Sequence, residues 1–356
     1  MIAADLKALM RIPGLSGHEG RVATEIDARM PTACRTDRMG NLIATFPGDG
    51  PSVMLFTHMD QLGFVVRKIE DGGLVRVHRL GGVPERALPS QAVVLSTRDG
   101  RDIPGVLANK SHHATQREEK YTVLKASELY IDIGHGSRAE VEAAGIEIGT
   151  PVTYAPNVIE LAGGRIAGSA VDDRAGCAVL LDVARRLVDR QGGPTVHLVF
   201  STQEEFNLRG ALVAAQALKP DIAIQIDLML ACDTPDMTDL GEMRLGGGPG
   251  MSLYSFHGRG TLNGVLPHPV LVRLFEETAK AEAMPLQRSA QVGVLTDLSY
   301  VQLVGDGVAA IDLGFPMRYS HSSLEVCQVS DLEQLSTLLV AGLARMTPEL
   351  SLERWA

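Results

Sequence analysis

Histidines and acidic residues follow several apolar segments of this 356-residue sequence. His58 and Asp60 end the segment SVMLFTHMD, which has the length of a buried strand, and the two-residue period of a strand places both on one face. A histidine beside a carboxylate can form a carboxylate–histidine–metal relay. The alternative is a hydrogen-bonded structural histidine, which this pair alone would favour.

Two pairs of adjacent carboxylates also stand next to predicted elements. Asp172 and Asp173 precede a helix predicted from Cys177, where one Asp can cap the helix while the other binds a cation. Glu204 and Glu205 follow the apolar strand VHLVFS, and in extended backbone they point to opposite sides and can do different jobs. Ligands bind at the carboxyl ends of strands in open α/β sheets, which favours a site over a surface loop.

Two later segments complete the set of candidates. Asp227 ends the predicted strand IAIQID, and Asp233 on the following loop is its rival. His321 lies in RYSHSS, after the apolar run VAAIDLGF, and supplies a second imidazole. Together the strand ends offer two imidazoles and at least four carboxylates, which would repel one another strongly without cations.

Mixed histidine and carboxylate ligation predicts two divalent ions per subunit, zinc in the first place and cobalt or manganese as alternatives. If Asp172, Glu205 and Asp227 bind these ions, three negative charges meet four positive ones, and a bridging hydroxide balances the remainder. Metal coordination lowers the pKa of water to roughly 7, so that hydroxide can attack an amide. Glu204 then remains as the general base that passes a proton to the leaving amine.

The elements that position these residues follow two patterns. Before about residue 65 and after about residue 155, strands alternate with helices, which predicts an α/β fold with a mainly parallel sheet flanked by helices. Between them, short alternating segments such as LVRVHRL, AVVLST and ELYIDIG predict a β-rich, barrel-like domain. We therefore expect a catalytic domain of residues 1–64 and 156–356, with residues 65–155 inserted in it as an oligomerisation domain.

Composition excludes several functional classes. The net charge of −10, without a Lys/Arg run, argues against nucleic acid as a partner. The four cysteines are far apart and predict free thiols rather than a thiolate metal site. No apolar run approaches the ~20 residues of a membrane span, and the N-terminus lacks the apolar core of a signal peptide, so a cytoplasmic protein is expected.

Five motifs occur in order along the chain: THMDQLGF, SAVDDRAG, STQEEFNLRGA, the Asp after IAIQI, and RYSHSSLEV. They resemble those of the tetrahedral dinuclear metalloaminopeptidases, and the likeness extends to SGHEG, DRMGNLIA, ELYIDIG and GIEIGTPVTY. This family includes glutamyl and deblocking aminopeptidases and members once labelled endoglucanases. The resemblance implies an enzyme that removes N-terminal residues from short peptides.

The resemblance also implies a role for each candidate residue. Glu204 becomes the general base, and Asp60 orients the first histidine. Five residues become metal ligands: His58 and Asp227 for one ion, Glu205 and His321 for the other, and Asp172 as the bridge between them. The inserted domain is implied to mediate assembly, commonly into a hollow tetrahedral dodecamer.

The sequence departs from the family pattern at two places. Phe206 and Asn207 replace the usual Val-Gly after the two glutamates; Asn207 tolerates positive φ and can keep the turn, and Phe206 is expected to reshape the adjacent pocket. His112 and His113 stand where the family tends to have one histidine, and a loop role is favoured over contact with a neighbouring subunit's site. The functional alternatives are a deacylase of small N-acyl amino acids, a metal-free glycoside hydrolase with two carboxyl groups, and a non-catalytic binding relative.

Overall fold

A computed structural model describes residues 1–258 and 263–355, which form one large mixed sheet and one closed barrel. The helices are α1 Ile2–Leu9, α2 Gly20–Arg29, α3 Arg138–Ala143, α4 Val171–Leu187, α5 Gly210–Leu218, α6 Pro269–Ala281, α7 Leu298–Val301 and α8 Val329–Leu343. The strands are β1 Arg35–Thr36, β2 Leu42–Phe46, β3 Gly50–His58, β4 Gly63–Ile69, β5 Val75–Leu80, β6 Ala92–Ser96, β7 Asp102–Leu107, β8 Ile131–Asp132, β9 Pro151–Tyr154, β10 Val158–Leu161, β11 Arg165–Gly168, β12 Pro194–Ser201, β13 Ile222–Leu230, β14 Gly250–Phe256, β15 Gly264–Val265, β16 Gln287–Val292, β17 Ala309–Arg318 and β18 Glu325–Gln328.

The centre of the large sheet is parallel and carries helices on both faces. Strands β12, β3, β13 and β17 lie side by side in parallel, and antiparallel strands extend the sheet at either edge. Along β3, Val53 and Leu55 belong to the core that contains α1, α4 and α8, whereas Met54 and Phe56 belong to the core that contains α5 and α7. The apolar run therefore alternates between two covered faces, as expected for a buried parallel strand.

The barrel is built from the chain between β3 and β10. Its strands close in the order β4-β5-β8-β7-β6-β9, with antiparallel neighbours throughout. Its interior is filled by alternate residues of these strands, for example Phe64 and Val66 on β4 and Val75 and Val77 on β5. The predicted fold class, a mainly parallel sheet flanked by helices with an inserted β-rich barrel, is confirmed.

Two predicted strands have different limits in the structure. Strand β13 does not end at Asp227 but continues to Leu230, because β17 pairs with it along its whole length. Strand β3 pairs with β13 only as far as Gln225, so one edge of β13 is open beside Asp227. The segment ELYIDIG contributes only the two residues of β8, since a 3₁₀ turn at Ala126–Glu128 precedes it.

Three of the cysteines are buried free thiols, and the fourth, Cys34, is partly exposed. Within residues 1–258 and 263–355, every helix is too short or too polar to cross a bilayer.

Candidate active site

The five predicted metal ligands converge at the carboxyl edge of the central parallel strands. The atoms that could bind a metal form two groups of donor atoms, and within each group all of these atoms lie within 4.8 Å of one another. Asp172 belongs to both groups. The first group is His58, Asp172 and Asp227, and the second is Asp172, Glu205 and His321.

The carboxylate of Asp172 lies between the two imidazoles. Its Oδ1 is 3.1 Å from Nε2 of His58, and its Oδ2 is 3.6 Å from Nε2 of His321. The backbone N–H of Asp172 donates to Oε2 of Glu325 at 3.0 Å, which fixes the residue at its backbone as well. Each oxygen of Asp172 thus faces a different histidine, the arrangement required of a carboxylate that serves two ions.

Asp173, the neighbour of Asp172, has a structural role. Its carboxylate accepts hydrogen bonds from the hydroxyl of Thr57 and from the backbone N–H of Gly176. A side chain at Gly176 would collide with both Thr57 and Asp173. Asp173 therefore caps the helical part of α4 and ties it to β3, which leaves Asp172 facing the cleft.

Both imidazoles are oriented so that Nε2 faces the carboxylates. Nδ1 of His58 lies 3.1 Å from the backbone carbonyl oxygen of Asp60, and Nδ1 of His321 lies 3.0 Å from that of Gly82. A carbonyl oxygen accepts the Nδ1 proton and leaves the lone pair on Nε2 for a cation. The orientation of both rings thus favours the tautomer that metal ligation needs.

The carboxylate of Asp60 has more partners than the sequence indicated. Its Oδ1 is 3.5 Å from Nδ1 of His58, as expected for an orienting residue. It also accepts hydrogen bonds from the backbone N–H groups of Glu204 at 3.0 Å and Glu205 at 3.1 Å, and from the hydroxyl of Ser16 at 2.5 Å. Asp60 therefore positions the two glutamates together with the histidine.

Glu204 and Glu205 lie in a turn, so the expectation of extended backbone at this pair is wrong. Gln203 before them and Asn207 after them both have positive φ, 57° and 68°. The carboxylate of Glu19 accepts the N–H of Gln203 at 3.0 Å, and Asp60 accepts the next two N–H groups. Because three successive N–H groups point to two buried carboxylates, the chain curls here instead of continuing β12, and Asn207 supplies the predicted left-handed position.

Asp227 and its rival Asp233 have different surroundings. Asp227 accepts from the side-chain amide of Gln225 at 3.1 Å and faces the first group of donor atoms. Asp233 forms two hydrogen bonds with the guanidinium of Arg318, at 2.8 and 2.7 Å, and accepts the N–H of Leu245. Asp233 is thus neutralised by an ion pair outside both groups.

The remaining sequence expectations concern residues away from the cluster. Phe206 is 43% exposed, packs under the guanidinium of Arg209 and is not among the residues that line the cleft, so its effect on the pocket stays a prediction. His112 and His113 lie in an exposed 3₁₀ turn of the barrel segment, which fits the loop role.

Besides Glu19, two further residues at the site were missed by the sequence interpretation. Glu325 is buried and accepts the N–H groups of Asp172 and His321, so it links both histidine-bearing segments. Gly82, from the segment after β5, holds His321 through its carbonyl, and a Cβ there would lie 2.8 Å from Nδ1 of His321. The signal for Glu325 was its place in SHSSLEV; no sequence signal identified Gly82.

A cleft of about 600 Å³ opens over the cluster, and Glu204 lines it. Burial and the carboxylate of Asp172 raise the pKa of Glu205 to about 7, against the influence of His321. Burial and the carboxylates of Asp173 and Asp172 raise the pKa of Asp227 well above its usual range. These carboxylates repel one another in a buried place, and divalent cations would compensate that charge, so the residues present fit a metal pair.

Comparison with known proteins agrees with this geometry. Residues 40–338 match the family described as M42 glutamyl aminopeptidase. The chain is 38% identical over 343 residues to the putative aminopeptidase SgcX of Escherichia coli, covering 94% of this chain and 91% of that protein.

Two solved structures extend the likeness to the fold. An aminopeptidase from the archaeon Desulfurococcus kamchatkensis superposes with a TM-score of 0.89 at 34% identity, covering 97% of this chain and 94% of that one. The TET1 peptidase of Pyrococcus horikoshii, described as assembling into a tetrahedron or a large octahedral shell, has a TM-score of 0.87 at 27% identity, covering 97% and 100%. The resemblance seen in the motifs is confirmed, and the chain belongs to the M42 family of metal-dependent aminopeptidases.

Proposed function

We propose that this chain removes N-terminal residues from short peptides with two divalent ions, zinc in the first place. His58 and Asp227 would hold one ion, Glu205 and His321 the other, and Asp172 both. The observation that carries the proposal is the placement of the two Asp172 oxygens, one toward each imidazole. We assign catalysis to residues 1–64 and 156–356, treat residues 65–155 as the inserted domain, and place the enzyme in the cytoplasm.

Bound at these ligands, the two ions would activate water and polarise the scissile carbonyl. The chain itself supplies the proton acceptor. Glu204 lines the cleft beside the ligand groups, and burial raises the pKa of its carboxyl well above the usual range, with Asp227 and Asp297 adding to the effect and His58 opposing it. In the proposed reaction, an oxygen of Glu204 takes a proton from water and delivers it to the leaving amine.

Asp60 and Glu19 hold the proton acceptor in place. Their carboxylates accept the N–H groups of residues 203–205, so buried hydrogen bonds hold the backbone that carries the Glu204 side chain. Hydrogen bonds to charged acceptors are the stronger kind, at roughly 1.5–3 kcal/mol each. The same carboxylate of Asp60 orients His58, so base and ligand keep a constant relative position.

The test is a panel of aminoacyl 4-nitroanilides assayed on chelator-stripped protein with zinc, cobalt or manganese added back singly. We expect no hydrolysis after stripping and recovery with at least one metal. N-acetylated amino acids in the same panel test the deacylase alternative. Peptide hydrolysis that survives stripping would contradict the proposal, and cellulose hydrolysis that survives it would favour the glycosidase.

We also propose that the chain forms a homo-oligomer through the barrel, such as a tetrahedral dodecamer. The barrel segment exposes four large apolar side chains, Val106, Tyr121, Val123 and Ile148, at 50–89% of their full exposure. Stable interfaces bury at least ~1,000 Å² in total, and exposed apolar residues are where that burial is favourable.

We expect light scattering of the full chain to show a particle much larger than a 38.1 kDa monomer. Replacing Tyr121 and Val123 by Ser should reduce the particle size, because it removes apolar contact area. The matched control is Leu303→Ser, which removes an exposed apolar side chain outside the barrel. A fully active wild-type monomer at micromolar concentration would rule out the assembly and leave the chemistry untouched.

A further inference from the structure

A second, smaller pocket adjoins the catalytic cleft behind Asp227. The two share Asp227, Leu228, Val294 and Thr296 in their walls. The free space in this pocket is about 20 Å³, which is the room that one water-sized group needs. A side chain that enters from the cleft can therefore place only a compact terminal group in it.

Within residues 1–258 and 263–355, two buried polar atoms in the wall of this pocket have no hydrogen-bond partner. They are Oδ2 of Asp312 and Oγ of Ser255. Asp312 is only 4% exposed and Ser255 only 6%. The other oxygen of Asp312 accepts from the hydroxyl of Thr296 at 2.9 Å. A buried polar atom without a partner costs stability, so these two oxygens indicate a ligand that donates hydrogen bonds.

The sheet places Asp312 at a definite depth below the cleft. On the paired strands β13 and β17, Asp312 is opposite Gln225 and Asp227 is opposite Gly314. Asp312 and Asp227 are therefore on the same face, two residues apart along the strands, or roughly 7 Å at the usual rise of a strand. A four-carbon side chain that starts beside Asp227 is long enough to span this separation.

We propose that this pocket receives the side chain of the substrate's N-terminal residue and selects lysine, whose ammonium binds Oδ2 of Asp312 and Oγ of Ser255. The inference rests on the proposed aminopeptidase function and names its substrate class. Among the described lining residues there is no lysine or arginine, so a glutamyl side chain would meet Asp312 without a compensating cation. A guanidinium exceeds the space, and a leucyl side chain leaves both oxygens unpaired.

A cationic guest would offset the cost of burying a charged carboxylate at Asp312. Burial raises the pKa of Asp312 to about 7, although the hydrogen bond from Thr296 opposes this. A buried carboxylate of this kind is stabilised by an opposite charge within hydrogen-bond distance. The ammonium of lysine provides that charge together with up to three N–H donors.

The first test uses only the wild-type, metal-loaded chain. L-Lysine and L-norleucine have the same four-carbon stem, and only lysine carries the ammonium. We expect lysine to inhibit leucyl-4-nitroanilide hydrolysis with a Ki about 10- to 10²-fold lower than that of norleucine, the range for one buried charged hydrogen bond. Equal inhibition by the two would overturn the inference and leave an ordered water only as the occupant of the pocket.

The second test measures the ratio of kcat/KM for lysyl- and leucyl-4-nitroanilide. We expect Asp312→Asn to lower this ratio about 10- to 10²-fold, mainly through KM for the lysyl substrate. The control is Asp306→Asn, an exposed carboxylate before β17, which should leave the ratio unchanged. A ratio unaffected by Asp312→Asn would overturn the inference.

Arginyl and glutamyl substrates complete the panel. The four substrates together distinguish a failure of the lysine pocket from a failure of the aminopeptidase function. Hydrolysis of leucyl or glutamyl substrate without preference for lysine would reject the lysine pocket and keep the aminopeptidase. Absence of hydrolysis of all four substrates with every metal would reject the aminopeptidase itself. The lysine–norleucine comparison needs no variant, so a folding defect of Asp312→Asn cannot obscure the result.

Discussion

Asp172→Ala is expected to abolish binding of both metal ions together and to lower turnover by more than about 10⁴-fold, above the range for losing a single proton-transfer group. The reason is geometric: each oxygen of Asp172 faces one histidine, so its removal takes a ligand from both groups at once. His58→Ala and His321→Ala each remove a ligand from one group and should weaken mainly one ion. Metal analysis of the purified variants, with equilibrium titration, provides the measurement.

The stability of the stripped protein separates this effect from misfolding. Asp172 is one of the carboxylates that raise the pKa values of Asp227 and Glu205, so its removal relieves repulsion in the metal-free cluster. We expect stripped Asp172→Ala to melt at or above the temperature of stripped wild type. Zinc should then raise the Tm of the wild type only, since a ligand stabilises the state that binds it.

A matched control removes a carboxylate outside the cluster. Asp233 lies on the loop after β13, the strand that carries Asp227. Asp233→Asn breaks the ion pair with Arg318 and should keep both ions. One tight ion retained by Asp172→Ala would show that Asp172 does not bridge, and loss of metal from Asp233→Asn would show that the choice between Asp227 and Asp233 was wrong.

The convergence of the candidate site residues was predictable because it depends on local signals. An apolar run predicts where a buried strand lies, and in a parallel sheet the following residues meet at one edge. His58, Glu205 and His321 follow three such runs, so their convergence needed no knowledge of the turns between them. Asp227 lies in mid-strand because β17 pairs with β13 beyond it. That pairing joins residues about 90 positions apart, so no local pattern in the sequence predicted it.

The hydrogen bonds that position the site were less accessible to sequence reasoning. Asp60 accepts the backbone N–H groups of Glu204 and Glu205. Every residue except proline has a backbone N–H, so the residue types do not show which of these groups will bind Asp60. The contact of Gly82 with His321 depends on how the barrel segment returns to the sheet after β5. Such contacts join segments distant along the chain, so they follow from the fold rather than from the spacing of residue types.

Glu204→Gln is expected to keep two metal ions and lower kcat by roughly 10²–10⁴, the usual range for a lost general base. The amide keeps the size of the side chain and leaves the N–H contact with Asp60 intact, but it cannot accept a proton. KM should change little, because binding of the ground-state peptide does not use the proton transfer. Steady-state kinetics combined with metal analysis measures both quantities.

The adjacent substitution Glu205→Gln is the matched comparison, since the two residues share the turn and the contact with Asp60. Only Glu205 belongs to a donor group, at 3.8 Å from Nε2 of His321, so its variant should lose the second ion in preference to the first. If Glu204→Gln lost an ion instead, Glu204 would be a ligand and the proton acceptor would have to be sought elsewhere in the cleft. If Glu204→Gln lowers only the rate and Glu205→Gln lowers the metal content, Glu204 serves proton transfer and Glu205 binds metal.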